Sequence, residues 1–114
     1  MEGARVLILG LTFKENCPDL RNTRVIDIVA ELEDFGLDVD VHDPWADSEL
    51  AACEFELDLV TSPPRDAYDA IILAVGHDAF REAGASGLKN YGRSSHIFYD
   101  LKSVFALDES DLRL

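Results

Sequence analysis

The 114-residue chain is predicted to form a single α/β domain, a three-layer, doubly wound, mostly parallel sheet of the Rossmann-like kind. Three observations lead there. Short continuous apolar runs end at glycines (Arg5-Val6-Leu7-Ile8-Leu9 at Gly10, Ala70-Ile71-Ile72-Leu73-Ala74-Val75 at Gly76), as strands buried on both faces do. A helical periodicity lies between the first of these runs and an alternating segment, which is the pattern of a parallel crossover. The length suits one core and not two.

The first strand covers Arg5 to Leu9, and residues 11 to 22 are polar and irregular. Val25, Ile26, Ile28, Val29, Leu32 and Phe35 then recur at helical spacing, so a helix is expected from Thr23 to Phe35 with Gly36 as its stop. Leu37-Asp38-Val39-Asp40-Val41-His42 alternates apolar and polar and ends at Asp43-Pro44, predicting a second strand. Ala46 to Cys53 suits a short helix and Phe55 to Val60 a short edge strand, closed by the turn Ser62-Pro63-Pro64. Ala70 to Val75 is the most apolar run and the expected central strand. His77 to Ala83 reads as a helix with a second helical turn before Tyr91-Gly92, His96 to Asp100 as the last strand, and Ser103 to Leu114 as a short frayed tail. The expected order is therefore β-α-β-α-β-β-α-β. Sheets of this class take ligands beyond the carboxyl ends of their strands, here Gly10 onward, His42-Asp43, Val75-Gly76-His77 and Asp100-Leu101-Lys102.

Composition narrows the partners. A net charge of -13, from 23 acidic and 10 basic residues, repels polyphosphate from most of the surface, so nucleic acid is not an expected partner. The acidity reads as a solvated face, with adaptation to high salt as the sharper alternative. No apolar run reaches the roughly 20 residues of a membrane span, and the amino terminus lacks a signal-peptide layout. A cytoplasmic protein with no membrane partner is expected. The two cysteines, Cys17 and Cys53, are not metal-spaced, so no metal site is expected, and both read as reduced thiols without catalytic role.

Chemistry concentrates after the first strand. Gly10-Leu11-Thr12-Phe13-Lys14-Glu15-Asn16-Cys17-Pro18-Asp19-Leu20-Arg21-Asn22-Thr23 has no G-x-G-x-x-G turn, so the chain is not expected to hold a dinucleotide by itself. It offers instead cations at Lys14 and Arg21, an aromatic at Phe13 and the start of a helix, parts that suit a phosphorylated ligand. The same residues equally suit a solvated loop in which Lys14 and Arg21 pair with Glu15 and Asp19. Lys102, past the last strand, is placed by the fold on the same edge as that loop, and two cations there favour a local positive pocket in an acidic domain.

That segment resembles the opening motif of the UDP-binding C-terminal domain of the UDP-glucose/GDP-mannose dehydrogenase family. The resemblance continues in order through Val41-His42-Asp43-Pro44-Trp45, Ala70 to Phe80 and Tyr99-Asp100-Leu101-Lys102, covering nearly the whole chain. Glu15-Asn16-Cys17-Pro18-Asp19 after Phe13-Lys14, together with Pro44-Trp45, is similar to the branch acting on UDP-N-acetylhexosamines. The resemblance implies an NAD-dependent, two-step oxidation of a sugar C6 hydroxyl to a carboxylate for polysaccharide synthesis. An N-terminal domain would hold NAD, a middle helical domain would carry the catalytic cysteine and dimer contacts, and the C-terminal domain would hold the UDP part of the substrate. Carried over by position, Phe13 and Lys14 fall on the substrate-contacting pair, Arg21 serves ligand or loop structure, Lys102 meets the nucleotide, and Asp19 braces the loop.

Neither a dinucleotide fingerprint nor a catalytic-cysteine motif occurs, so residues 1–114 are read as that C-terminal domain alone, inactive without the other domains of a homo-oligomeric parent and holding no cofactor itself. Met1-Glu2-Gly3 reads as the start of an excised segment or a split gene product. The rival reading is a stand-alone nucleotide- or phosphate-binding module, and a third is an acidic protein-interaction domain.

Overall fold

The structure, a computed structural model, describes residues 4–12, 25–46, 48–55, 59–100 and 112–113. Its elements are β1 (Arg5–Leu9), α1 (Val25–Asp34), β2 (Asp38–His42), α2 (Ser48–Phe55), β3 (Tyr68–Leu73), α3 (Asp78–Lys89), β4 (Gly92–Asp100) and β5 (Leu112–Arg113). The strands form one sheet in the order β2-β1-β3-β4-β5, with every described pairing parallel. The run Ala70 to Leu73 therefore lies in the central strand, as expected from its apolarity.

Alternate residues of β1 serve opposite layers because successive side chains of a strand point to opposite faces. Val6 and Ile8 pack with Val25 and Val29 of α1, Val41 of β2 and Ala51 of α2. Leu7 and Leu9 pack on the other face with Ile71 and Leu73 of β3, Phe80 and Leu88 of α3, and Phe98 of β4. Two apolar clusters separated by one sheet make the three layers. Among the described residues no helix is long and apolar enough to cross a membrane.

Helix α1 stops as its sequence requires. Gly36 sits at φ 83°, where its amide bonds the Glu33 carbonyl at 2.9 Å and the Leu37 amide bonds that of Leu32 at 3.2 Å, a Schellman cap. Phe35 falls outside the helix and is 74% exposed, against the expectation that it closes the apolar stripe.

Three further expectations are corrected. Of the strand expected over 55–60, the described residues show α2 running through Phe55 and a parallel bridge from Val41 to Leu59, and residues 56–58 lie outside the described residues. The last expected strand begins earlier, at Gly92. Its polar start is accommodated by a bulge, since Tyr68 pairs with Gly92 but Ala70 with Ile97, and His96 Nδ1 lies 2.7 Å from the Arg93 carbonyl. Within the tail read as frayed, Leu112–Arg113 adds β5 to the edge of β4. The observed order is thus β-α-β-α-β-α-β-β. The two helical stretches expected between 77 and 91 are present as α3, kinked at Gly84.

At the opposite end of the sheet from the strand carboxyl termini, Tyr68 ties strands together through its side chain. Its hydroxyl donates to Asp40 Oδ2 at 2.6 Å, and Arg5 Nη2 donates to the same oxygen at 3.2 Å while its guanidinium lies 5.0 Å from the Tyr68 ring. Burial, and then the Asp40 hydrogen bond, raise the phenol pKa beyond its ordinary range.

Candidate functional site

The carboxyl edge of the sheet is where β1 passes into Gly10-Leu11-Thr12, β2 into Asp43, and β3 into Ala74-Val75-Gly76-His77. Gly10 allows these exits to meet. Its φ is 104°, and a Cβ there would sit 2.6 Å from Val75 Cβ and 2.7 Å from Val75 N. The glycine is thus required for close approach of the β1 and β3 exits. Its amide meanwhile continues the sheet by donating to the His42 carbonyl at 2.8 Å.

Asp43 is the centre of this edge. Its Oδ2 accepts from the backbone amides of Leu11 (2.6 Å) and Thr12 (3.0 Å), and its Oδ1 from those of Trp45 (2.7 Å) and Ala46 (3.2 Å). The fifth partner is His77, whose Nε2 lies 2.9 Å from Oδ2, with both side chains 0% exposed. Burial alone would raise the Asp43 carboxyl pKa, but the hydrogen bonds from His77, Leu11, Thr12 and Trp45 outweigh it and bring the group down from 3.8 to about 2. Asp43 is therefore an ionised acceptor at neutral pH. An ionised carboxylate cannot donate, so His77 Nε2 carries the hydrogen of their bond. Thr12 Oγ1, 3.1 Å from the same nitrogen, consequently stands on the acceptor side of that contact.

One carboxylate thus joins the ends of three adjacent strands. The arrangement is not a nucleophilic triad. A base oriented by an acid uses one ring nitrogen for each partner, whereas here Thr12 and Asp43 share Nε2. His77 is flanked by the rings of Trp45 (centroids 6.3 Å) and Phe80 (5.6 Å), and Trp45 is 44% exposed at the rim. At the start of α3 the Phe80 and Arg81 amides donate to the His77 carbonyl, and Arg81 Nε donates to that of Gly76 at 3.0 Å.

The residues expected to bind ligand, Phe13, Lys14, Arg21 and Lys102, lie outside the described residues, as do the expected loop brace Asp19 and Cys17. What is described is where their segments begin. The chain enters residues 13–24 from Thr12, buried at the end of β1, and residues 101–111 from Asp100, buried at the end of β4. Because β1 and β4 are parallel and flank β3, these two exits share one edge and stand about two strand spacings, roughly 10 Å, apart. Cys53 is a free, exposed cysteine on α2. Among the described residues no group of three or more His, Cys, Asp or Glu side chains could hold a metal ion.

Residues 10–12 do not offer a dinucleotide its cradle. The Leu11 and Thr12 amides that would face a pyrophosphate are turned onto Asp43, and Gly10 is filled against Val75. The residues sequence reasoning missed are Asp43, His77 and Thr12. Asp43-Pro44 and Gly76-His77 were both recognisable as strand ends on the ligand edge, but nothing in their spacing showed that they meet.

The family profile described as UDP-glucose/GDP-mannose dehydrogenase family, UDP binding domain, matches residues 7–107. The UDP-N-acetyl-D-glucosamine 6-dehydrogenase of Pseudomonas aeruginosa is 53% identical over 114 residues, 100% of this chain and 27% of that relative. That of Salmonella typhi is 48% identical over the same 100% and 27%. The structure of a UDP-glucose dehydrogenase from Pyrobaculum islandicum superposes with a TM-score of 0.74 at 27% identity, covering 99% of this chain and 25% of that one. The chain spans about a quarter of the length of these relatives.

Proposed function

Because the chain belongs to the UDP-glucose/GDP-mannose dehydrogenase family, we propose that it holds the UDP part of a UDP-sugar for an NAD-dependent 6-dehydrogenase. The single observation that carries this reading is the family match across residues 7–107, reinforced by whole-chain similarity to two UDP-N-acetyl-D-glucosamine 6-dehydrogenases. A UDP-N-acetylhexosamine is accordingly the proposed substrate class. In a parent enzyme of that kind the sugar C6 hydroxyl is oxidised to a carboxylate. NAD and the reacting cysteine belong to domains that precede this one, in keeping with an edge whose turn amides are taken up by Asp43. The parent is further proposed to be a cytoplasmic homo-oligomer.

In this chain Lys14 and Lys102 neutralise the diphosphate, Phe13 packs against the ligand, Arg21 serves ligand or loop, and Asp19 braces the loop. What supports the assignment is that the two lysine-bearing segments leave the sheet on one edge of a domain whose net charge is -13. A diphosphate would find few other places on such a surface.

Calorimetric titration with UDP tests it. Weak binding is expected, since the other domains would supply a share of the contacts, and Lys14→Ala and Lys102→Ala should each weaken it about tenfold, the scale of one charge-assisted hydrogen bond. Affinity unchanged by both substitutions would remove the site assignment. The chain alone should reduce no NAD with any UDP-sugar, and measurable turnover would refute the domain reading.

A further inference from the structure

From the buried contacts on the carboxyl edge we infer that Asp43, His77 and Thr12 are positioning residues for nucleotide binding: they anchor the chain at the point where it leaves β1 for Phe13 and Lys14. The inference rests on the UDP-binding reading above. It assigns to three buried residues at the sheet edge a part in the affinity of the segment that follows them.

Thr12 is held through both backbone and side chain, its amide by Asp43 Oδ2 at 3.0 Å and its Oγ1 by His77 Nε2 at 3.1 Å. The preceding amide, Leu11, is held by the same carboxylate oxygen at 2.6 Å. Asp43 is itself bonded by the turn into Trp45 and Ala46, and His77 is flanked by rings on two sides, so the anchor has contacts of its own apart from the chain it holds. Thr12 is 1% exposed. The anchored residue directly precedes Phe13 and Lys14, so fixing its backbone narrows the directions in which the next two residues can be presented. A ligand-binding segment whose ordering is done in advance binds more tightly than one ordered on binding. Loss of the side-chain hydrogen bond that completes the hold on Thr12 corresponds to roughly a three- to tenfold change in affinity.

The variants separate this from ordinary stabilisation. Thr12→Val keeps the shape and the amide contact to Asp43 but deletes the oxygen that meets His77, and Thr12→Ser restores it. Tyr68→Phe, at the opposite end of the sheet from the anchor, removes the hydroxyl that bonds Asp40 and supplies a destabilised control. UDP is titrated into 15N-labelled chain and the dissociation constant read from amide shifts, with urea midpoints measured in parallel. Expected are roughly three- to tenfold weaker UDP binding for Thr12→Val, recovery within about twofold for Thr12→Ser, and wild-type affinity for Tyr68→Phe despite its lower midpoint. Wild-type affinity in a folded Thr12→Val, or no recovery in Thr12→Ser, would overturn the positioning role while leaving UDP binding intact. Failure of the wild-type chain to shift with UDP would overturn the reading beneath it and this inference with it.

Discussion

Replacing Asp43 by asparagine preserves the shape of the side chain and changes one oxygen into a donor. The carboxylate accepts Leu11, Thr12 and His77 on Oδ2 and Trp45 and Ala46 on Oδ1. The better orientation of the amide keeps its oxygen toward the first three and turns its NH2 toward the Trp45 and Ala46 amides. Two backbone donors then face a donor, at about 1–3 kcal/mol each, so the loss is expected at about 2–6 kcal/mol. Urea denaturation at pH 7 measures it as a lower midpoint at unchanged slope. The same substitution predicts a pH signature. A carboxyl lowered from 3.8 to about 2 stabilises the folded chain fully above pH 3.8, and that stabilisation disappears as pH falls through about 2. Its size is about 2.5 kcal/mol. The gap between wild type and Asp43→Asn should therefore narrow as pH falls from about 4 to about 2. A neutral-pH difference under about half a kcal/mol, or a gap that stays constant through that window, would refute the claim that an ionised Asp43 holds the three strand ends together.

Gly10→Ala should cost about 3 kcal/mol or more in urea denaturation, because it combines a φ of 104° with a Cβ 2.6 Å from Val75 Cβ, and wild-type stability would disprove the close approach. Tyr68 should remain unionised past the ordinary phenol range. Ultraviolet difference titrations of wild type and Tyr68→Phe should then superimpose up to the pH of alkaline unfolding, and an extra phenolate step in wild type would contradict the buried bond to Asp40. Tyr68→Phe itself should lose about 1 kcal/mol, since Asp40 keeps its contact with Arg5.

Patterns repeated over a few residues were enough to place β1, α1, β2 and the core of β3, because a buried strand must be apolar throughout and an amphipathic helix must repeat its apolar residues every turn. Gly36 likewise announced the end of α1 from composition alone. The same reasoning selected the carboxyl edge as the ligand side, since parallel topology puts all strand ends together. It could not supply the polar start of β4, whose pairing depends on a bulge opposite β3, nor β5, two residues long and held in place by its neighbour. The partnership of Asp43 with His77 was beyond it for a similar reason. They stand 34 positions apart and come into contact only because β1 lies between β2 and β3, so that the exits of all three strands converge. Periodicity is a property of neighbouring residues, whereas which distant polar groups share a buried edge is decided by the order of strands in the finished sheet, and there the cost of an unpaired buried charge selects the partners.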